Sequence, residues 1–255
     1  MPAMSQLAGT PSDDVPEILA TGRSDITTVF LSMTARHPEG RDDGYIEWHC
    51  LDHRPELQRL PSMRTSIRLV STPACRAARA ASEAPYDGVD HVMAYLMASD
   101  CDAALAEFRV LNHELLEVGR TPYLLPMIQR AVYRFDGMVA APRIKVGADA
   151  LPWWPPQGVY VLLEQGAVSP KDLTSVPGVA GAWWATGIPK GMPFSDGADN
   201  TGLRITFCYL DDEPAATGER LRPALEKRWA NTGAAPLLAA PFHPIGPHEW
   251  GRYLP

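Results

Sequence analysis

The sequence predicts an α+β fold in which one order of strands and helices occurs twice along 255 residues. Three observations carry that reading. Alternating stretches rich in β-branched residues, such as ITTVFLSMTA and VDHVMAYLMA, have the period of half-buried strands. Two segments carry apolar residues at helical period. A Pro- and Trp-rich stretch, LPWWPPQG from Leu151 to Gly158, interrupts the pattern, which then starts again.

The first strand follows Asp25, with Val29, Leu31 and Met33 on one face and Phe30, Ser32 and Thr34 on the other. A helix should then start at Asp42 or Asp43, either of which can cap it, and kink or end at Pro55. RTSIRLVSTPACRA gives a second strand, and a loop is expected from Ser82 to Asp87. The third strand puts His91, Met93, Tyr95 and Met97 on one face and Val92, Ala94 and Leu96 on the other. Ser99 or Asp100 caps a second helix, whose Leu105, Phe108, Leu111, Leu115 and Val118 form an apolar stripe that Gly119 stops. A fourth strand lies within AVYRFDGMVAAPRIKV.

After the connector, GVYVLLEQG reads as a strand, SPKDLTSVPG as a short helix, and VAGAWWATG and LRITFCYLDD as strands. GERLRPALEKRWA supplies a helix stripe of Leu221, Leu225 and Trp229, and PLLAAPFHPI closes the series. Both halves therefore read β-α-β-β-α-β, the split βαβ or ferredoxin-like order, with both helices on one sheet face. The expected organisation is a loose N-terminal arm over residues 1–24, one unit over 25–150 and a second over 151–255. Their open sheet faces would pack together as a pseudo-dimeric α/β barrel. That duplication allows a monomer as well as a homodimer.

Hydrophobic residues make up 45% and charged residues 21%, as in ordinary globular chains. A net charge of −7 excludes a phosphate-backbone binder, which needs a basic surface. No window approaches the roughly 18 apolar residues of a membrane span, and the first residues lack the basic and apolar regions of a secretory signal. Cys50, Cys75, Cys101 and Cys208 form no CxxC pair, as expected of reduced thiols in the cytoplasm. The sequence contains no GxGxxG after a strand, no GxxxxGK[ST] loop and no GxSxG elbow.

Chemistry concentrates in DDGYIEWHCLDHRPELQRLP, which ends at Pro61. Residues three and four apart share a helix face, so Tyr45, His49, Asp52 and His53 can converge on one pocket beside Trp48. A neutral-pH histidine gives and takes protons, and a carboxylate can orient its ring, so His53 with Asp52 or His49 is an acid/base candidate. The competing reading is a solvated polar face with Ile46, Cys50 and Leu57 buried. His49 and His53 have the spacing of HExxH zinc helices, but Cys50 replaces the glutamate, and one pair makes no metal site. His91, Met93 and Tyr95 share a strand face suited to an apolar pocket or a core. Trp183 and Trp184 point to opposite faces, so only one, Trp184 in this assignment, can join such a pocket. Asp196, Asp199 and Asn200 in SDGADNTG read as a turn.

The first half resembles the dimeric α/β-barrel superfamily, most closely EthD-type proteins, in Trp48, in His53 followed by Pro55, in Pro61, and in YDGVDHVMAYL as third strand. The resemblance spans roughly 26–146. It departs in an aromatic-to-histidine spacing one residue longer, and the second half matches only in architecture. A catalytic residue therefore carries over to His53 alone. The superfamily includes cofactor-free monooxygenases, polyketide cyclases, decarboxylating or dehydrating enzymes, haem proteins and members without known activity, so the resemblance implies a pocket more than a reaction.

The expected function is a cofactor-independent lyase or cyclase acting on a hydrophobic, oxygenated molecule of polyketide-like, aromatic or steroid-like type. His53 is its acid/base, Asp52 or His49 its helper and Tyr45 a hydrogen-bond partner of a substrate oxygen. Trp48, His91, Met93, Tyr95 and Trp184 shape the site. The alternatives are a non-catalytic small-molecule or haem-binding protein and a cofactor-free monooxygenase.

Overall fold

The structure is a computed structural model, and it describes residues 8–19, 22–122, 124–166, 168–189 and 200–255. Among the described residues nine strands form one sheet: β1 (Thr28–Thr34), β2 (Met63–Val70), β3 (Ala81–Ser82), β4 (His91–Met97), β5 (Met127–Ala140), β6 (Gly158–Gln165), β7 (Val179–Gly187), β8 (Leu203–Leu210) and β9 (Ala235–Pro244). The neighbour order is β2-β4-β1-β5-β7-β8-β6-β9, and a β2–β9 pairing closes eight of them into a barrel. The two-residue β3 lies against β9. Each half uses one order, second-third-first-fourth: β2-β4-β1-β5, then β7-β8-β6-β9. The contacts β5–β7 and β2–β9 join the halves.

Alternation decides which side chains fill the barrel. Val29, Leu31, Met33, Val92, Ala94 and Leu96 point inward and meet Val161, Trp183, Phe207 and Phe242 from the second half in one core. With Tyr133, Trp183, Phe207 and Phe242 buried there, the interior is packed, and space for a small molecule lies outside it. Trp183 Nε1 donates to the Ala148 carbonyl at 2.6 Å, which satisfies its only polar atom.

The outer faces carry the helices. α1 (Asp42–Trp48), a π-turn (His49–His53) and α2 (Arg54–Leu57) form one continuous rod, and α4 (Cys101–Glu117) lies beside it across the first half, with the short α3 (Pro73–Ala77) between them in the chain. Asp100 caps α4 by accepting from Ala103 N–H at 2.9 Å. Ala104, Leu105, Phe108 and Leu115 form its buried stripe, whereas Val118, expected in that stripe, is exposed because the helix ends at Glu117. α5 (Pro214–Thr232) covers the second half with Leu221 and Leu225, and Gly233 ends it in the left-handed conformation at φ 72°.

Several expectations need correction. SPKDLTSVPG forms only a 3-10 turn, Lys171–Ser175, so among the described residues the second half has no helix at the place of the first half's rod. Two prolines within this short stretch, Pro170 and Pro177, restrict helical backbone. The expected loop at 82–87 includes β3 and a turn, Tyr86–Gly88. The described part of the N-terminal arm is tied down: Ser12 N–H donates to the Lys145 carbonyl at 2.9 Å, and Asp13 accepts from Ala148 N–H at 3.1 Å. Asp196 and Asp199 lie outside the described residues. Asn200 is buried and accepts from Gln129 Nε2 at 3.2 Å.

Candidate functional site

The rod that carries the histidines owes its shape to Pro55. A proline inside a helix donates no hydrogen bond and crowds the carbonyl four residues back. Here Arg54 N–H bonds the His49 carbonyl, five residues away, so a π-turn widens the helix just ahead of the proline and the rod continues to Leu57 instead of ending. Neither Asp42 nor Asp43 caps the rod; Arg41 stands at the cap position, its side chain paired with Glu39. Ile46, Cys50 and Leu57 are buried, as the competing reading required, but Tyr45, His49 and His53 are buried too. This helix has no merely solvated histidine face.

Between the rod, α4, the outer face of β1 and β4 and the chain leading into β5 lies a cavity of about 530 Å³. Tyr45, Trp48, His49, His53, Met93 and Tyr95 line it. The His53 ring lies 4.9 Å from Trp48 and 5.4 Å from His49, centroid to centroid. Tyr95 Oη and His49 Nε2 are 3.2 Å apart, while Nδ1 of both histidines is buried without a partner. Trp48 is fixed by donating from Nε1 to the Arg120 carbonyl at 3.1 Å.

Burial sets the charge state of these rings. Desolvation holds His49 well below its ordinary pKa, and the positive charge of Arg68 adds to the effect. Desolvation also lowers His53, to about 4, against the opposing pull of the Asp52 carboxylate. Both rings are therefore neutral at pH 7. Burial raises the Tyr95 phenol, which stays protonated. This part of the wall is uncharged and carries the Tyr95 hydroxyl beside the imidazole nitrogens.

Behind it lies a charged chain. Arg68 Nη2 donates to His91 Nδ1 at 2.9 Å, and His91 Nε2 lies 2.8 Å from Asp42 Oδ1. Arginine can only donate and a carboxylate only accept, so His91 carries its proton on Nε2. Desolvation lowers His91 to about 4, so the ring is a neutral bridge between cation and anion. Asp42 also accepts from His37 N–H at 2.9 Å; burial pushes its carboxyl up, but these bonds outweigh it and hold it below the ordinary range. Arg68 lies 4.8 Å over the Tyr45 ring.

Three assigned residues do not join the cavity. His91 is fully buried with both nitrogens engaged, its ring 5.7 Å from that of Tyr45. The Asp52 carboxylate turns outward to Arg120, at 2.7 Å, and makes no hydrogen bond with His53 among the described residues. Trp184 packs far along the barrel against Gly137, where a Cβ would come within 2.6 Å of its ring. Other wall residues were not assigned to the site: Phe30, Ser32 and Thr34 of β1, Phe108 and Asn112 of α4, and Arg130 of β5. The alternation of β1 and the helical spacing of Phe108 and Asn112 were visible signals for most of these. A charged Arg68 within the apolar strand sequence IRLV was another, unread.

No family model matches the chain, and no curated protein matches it. Solved structures do. A candidate chlorite dismutase is 10% identical over 90% of this chain and 99% of its own, with a TM-score of 0.50. A dye-decolorizing peroxidase from Bacteroides thetaiotaomicron is 9% identical over 88% of this chain and 94% of its own, also at 0.50. An anthrone oxidase-like protein is 14% identical over 88% and 92%, at 0.49. The fold is that of the dimeric α+β barrels. At these identities the likeness extends to the fold and not to an EthD-type membership or an activity. Among the described residues no helix is long and apolar enough to cross a membrane, and no three His, Cys, Asp or Glu side chains are grouped to hold a metal.

Because the superfamily that the first half of the sequence resembles includes haem proteins, the histidines can be tested against that group. An axial histidine presents one nitrogen to iron while a partner on the other fixes its tautomer. His49 has Nε2 held by Tyr95 and Nδ1 buried out of reach, and His53 has no partner on Nδ1 to fix its tautomer. His91 has both nitrogens engaged. The donor set does not fit a haem ligand, and no step is routed through one.

Proposed function

We propose that this chain is an enzyme that removes a proton from a hydrophobic, oxygenated small molecule of polyketide-like, aromatic or steroid-like type, without a cofactor. The observation that carries this reading is the neutral His53 in a mostly apolar cavity that also presents the Tyr95–His49 pair. We also read the two halves, 25–150 and 151–255, as tandem ferredoxin-like units, on their shared strand order.

His53 takes a proton from carbon beside a carbonyl, and the C–H electron pair moves onto the carbonyl oxygen as an enolate. If His49 Nε2–H donates to Tyr95, the Tyr95 hydrogen is free to donate to that oxygen as its charge develops. Collapse of the enolate expels a β-leaving group with its bonding pair, or attacks a second carbonyl of the substrate to form a ring bond, and the imidazolium gives its proton to the leaving group or the new alkoxide. Asp52 supports that imidazolium through space. A base with a pKa near 4 is weak at neutral pH, which selects carbon acids activated by conjugated or paired carbonyls. Tyr45, Trp48 and Met93 hold the apolar body against water.

Proton exchange tests this. In deuterium oxide, NMR should show catalysed exchange at the acidic carbon of aromatic 1,3-diketones. Exchange should fall by roughly 10²-fold or more in His53→Ala with the fold intact, and less steeply in Tyr95→Phe. Equal exchange in His53→Ala would remove the assignment. Saturable binding without exchange would favour a binding protein, and oxygen uptake would make the chain a cofactor-free monooxygenase.

A further inference from the structure

A second cavity, of about 550 Å³, lies at the end of the barrel where β9 stops and β2 runs on. β2 and β9 pair only at Leu69 with Pro244 and Val70 with His243, and Ile245 N–H adds one bond to the Arg68 carbonyl. Beyond that point β2 is covered by the 152–157 connector and the C-terminal segment instead of a strand. Arg54, Arg68, Arg252, Trp153, Trp154 and Tyr209 are among its lining residues.

The charge there is unbalanced. Glu249 is the only acid on this wall, and it is paired with Arg252 at 3.1 Å. Arg68 reaches a carboxylate only through His91. Arg54 is half-buried and, among the described residues, has no carboxylate partner: Nε donates to Ser66 Oγ at 2.6 Å and Nη2 to the Ser66 carbonyl at 2.7 Å, while Nη1 is buried with no partner. Desolvation lowers its proton affinity, as expected of a cation withdrawn from water without a counter-charge. Guanidinium groups match oxyanions, and Trp153, which is 48% exposed, and Trp154 offer flat apolar surface beside them.

We infer that this second cavity binds a small aromatic oxyanion, a carboxylate or phosphate on a flat apolar body, with Arg54 and Arg68 as its charge partners. The site is separate from the histidine cavity and stands whether or not the proposed reaction does. The wall between the two cavities contains Arg54, the residue after His53, and Arg68, which lies over Tyr45.

Calorimetry and tryptophan fluorescence on the full chain test it, with benzoate, phenyl phosphate, inorganic phosphate and benzyl alcohol as probes. Benzoate or phenyl phosphate should saturate, and whichever is tighter names the head group. Benzyl alcohol and inorganic phosphate should each bind about tenfold more weakly or worse, since each lacks half of the recognised chemistry. Arg54→Gln should weaken the anion by a similar factor, and Trp153→Phe should reduce the fluorescence change. If Arg54→Gln does not fold, Arg252→Gln and Trp153→Ala, at exposed positions, should each weaken binding measurably. Absence of saturation with both aromatic anions, equal affinity for benzyl alcohol, or binding unchanged in the folded variants would overturn the inference.

Discussion

The outer faces of the two halves use the same strand order for opposite ends. In the first half, β1 presents Phe30, Ser32 and Thr34 to a cavity, under a rod containing a π-turn. In the second, β6 holds the corresponding place with Tyr160, Leu162 and Glu164, all fully buried. Among the described residues no rod stands over it, only the Lys171–Ser175 turn, and α5 seals the face with Leu221 and Leu225. Glu164 accepts from Trp229 Nε1 at 2.7 Å and lies 3.8 Å from the buried Arg228 guanidinium. Where one half leaves room and neutral histidines, the other is filled by packed side chains and a buried ion pair. Two halves with one strand order thus differ in what lies over them, an open cavity on one and a sealed layer on the other.

The sharpest way to break that contrast is Glu164→Ala. It leaves Arg228 buried, with Asp172 on its exposed side as the remaining acid, and should cost about 3–5 kcal/mol of unfolding free energy in urea. A loss below about 1 kcal/mol would show that the second face is not held by this pair. Leu225→Ala opens a void in the same sealed layer and should cost about 2–5 kcal/mol without altering ligand binding in the first half. If it alters that binding, the faces are coupled and the contrast fails.

Much of this architecture was legible because it rests on period. Alternation in β1 and β4 separated barrel-facing from helix-facing residues, and the same count separated Trp183 from Trp184. The failures have physical causes. Asp52 follows from helix spacing, but its carboxylate is captured by Arg120, 68 residues away in sequence, a contact no local pattern contains. His91 was placed on the correct face, yet an Arg68–His91–Asp42 chain consumes both nitrogens. Trp184 failed because the cavity lies over one half only, and residues on β7 lie on the other. A kink or an end at Pro55 was legible, but not its form, in which the backbone widens into a π-turn ahead of the proline.

Acid should distinguish the halves next. His53 is lowered from 6.5 to about 4 on folding, so between those values the unfolded chain holds a proton that the folded chain excludes. Stability contributed by the neutral ring is complete above pH 6.5, falls as the pH drops towards 4 and is gone below it, a loss on the order of 3 kcal/mol. Urea titrations across that window should show a shallower slope for His53→Gln than for wild type. An identical slope would mean that His53 is not buried neutral.

The smallest effect tests the open face itself. Leu124 lines the histidine cavity and is 79% exposed, so it contributes little to the core. Leu124→Ala should change unfolding free energy by no more than about 0.5 kcal/mol, against several for Leu225→Ala. If the cavity binds an apolar body, the same truncation removes contact area from the complex and should weaken a bound aromatic ketone severalfold, at about 25 cal/mol per Å² of apolar surface lost. Stability and affinity would then separate at one residue, as they must if this face is kept open for a ligand. A variant that loses stability while keeping affinity would instead mark Leu124 as part of the packing, and the first half would differ from the second only in how completely it is filled.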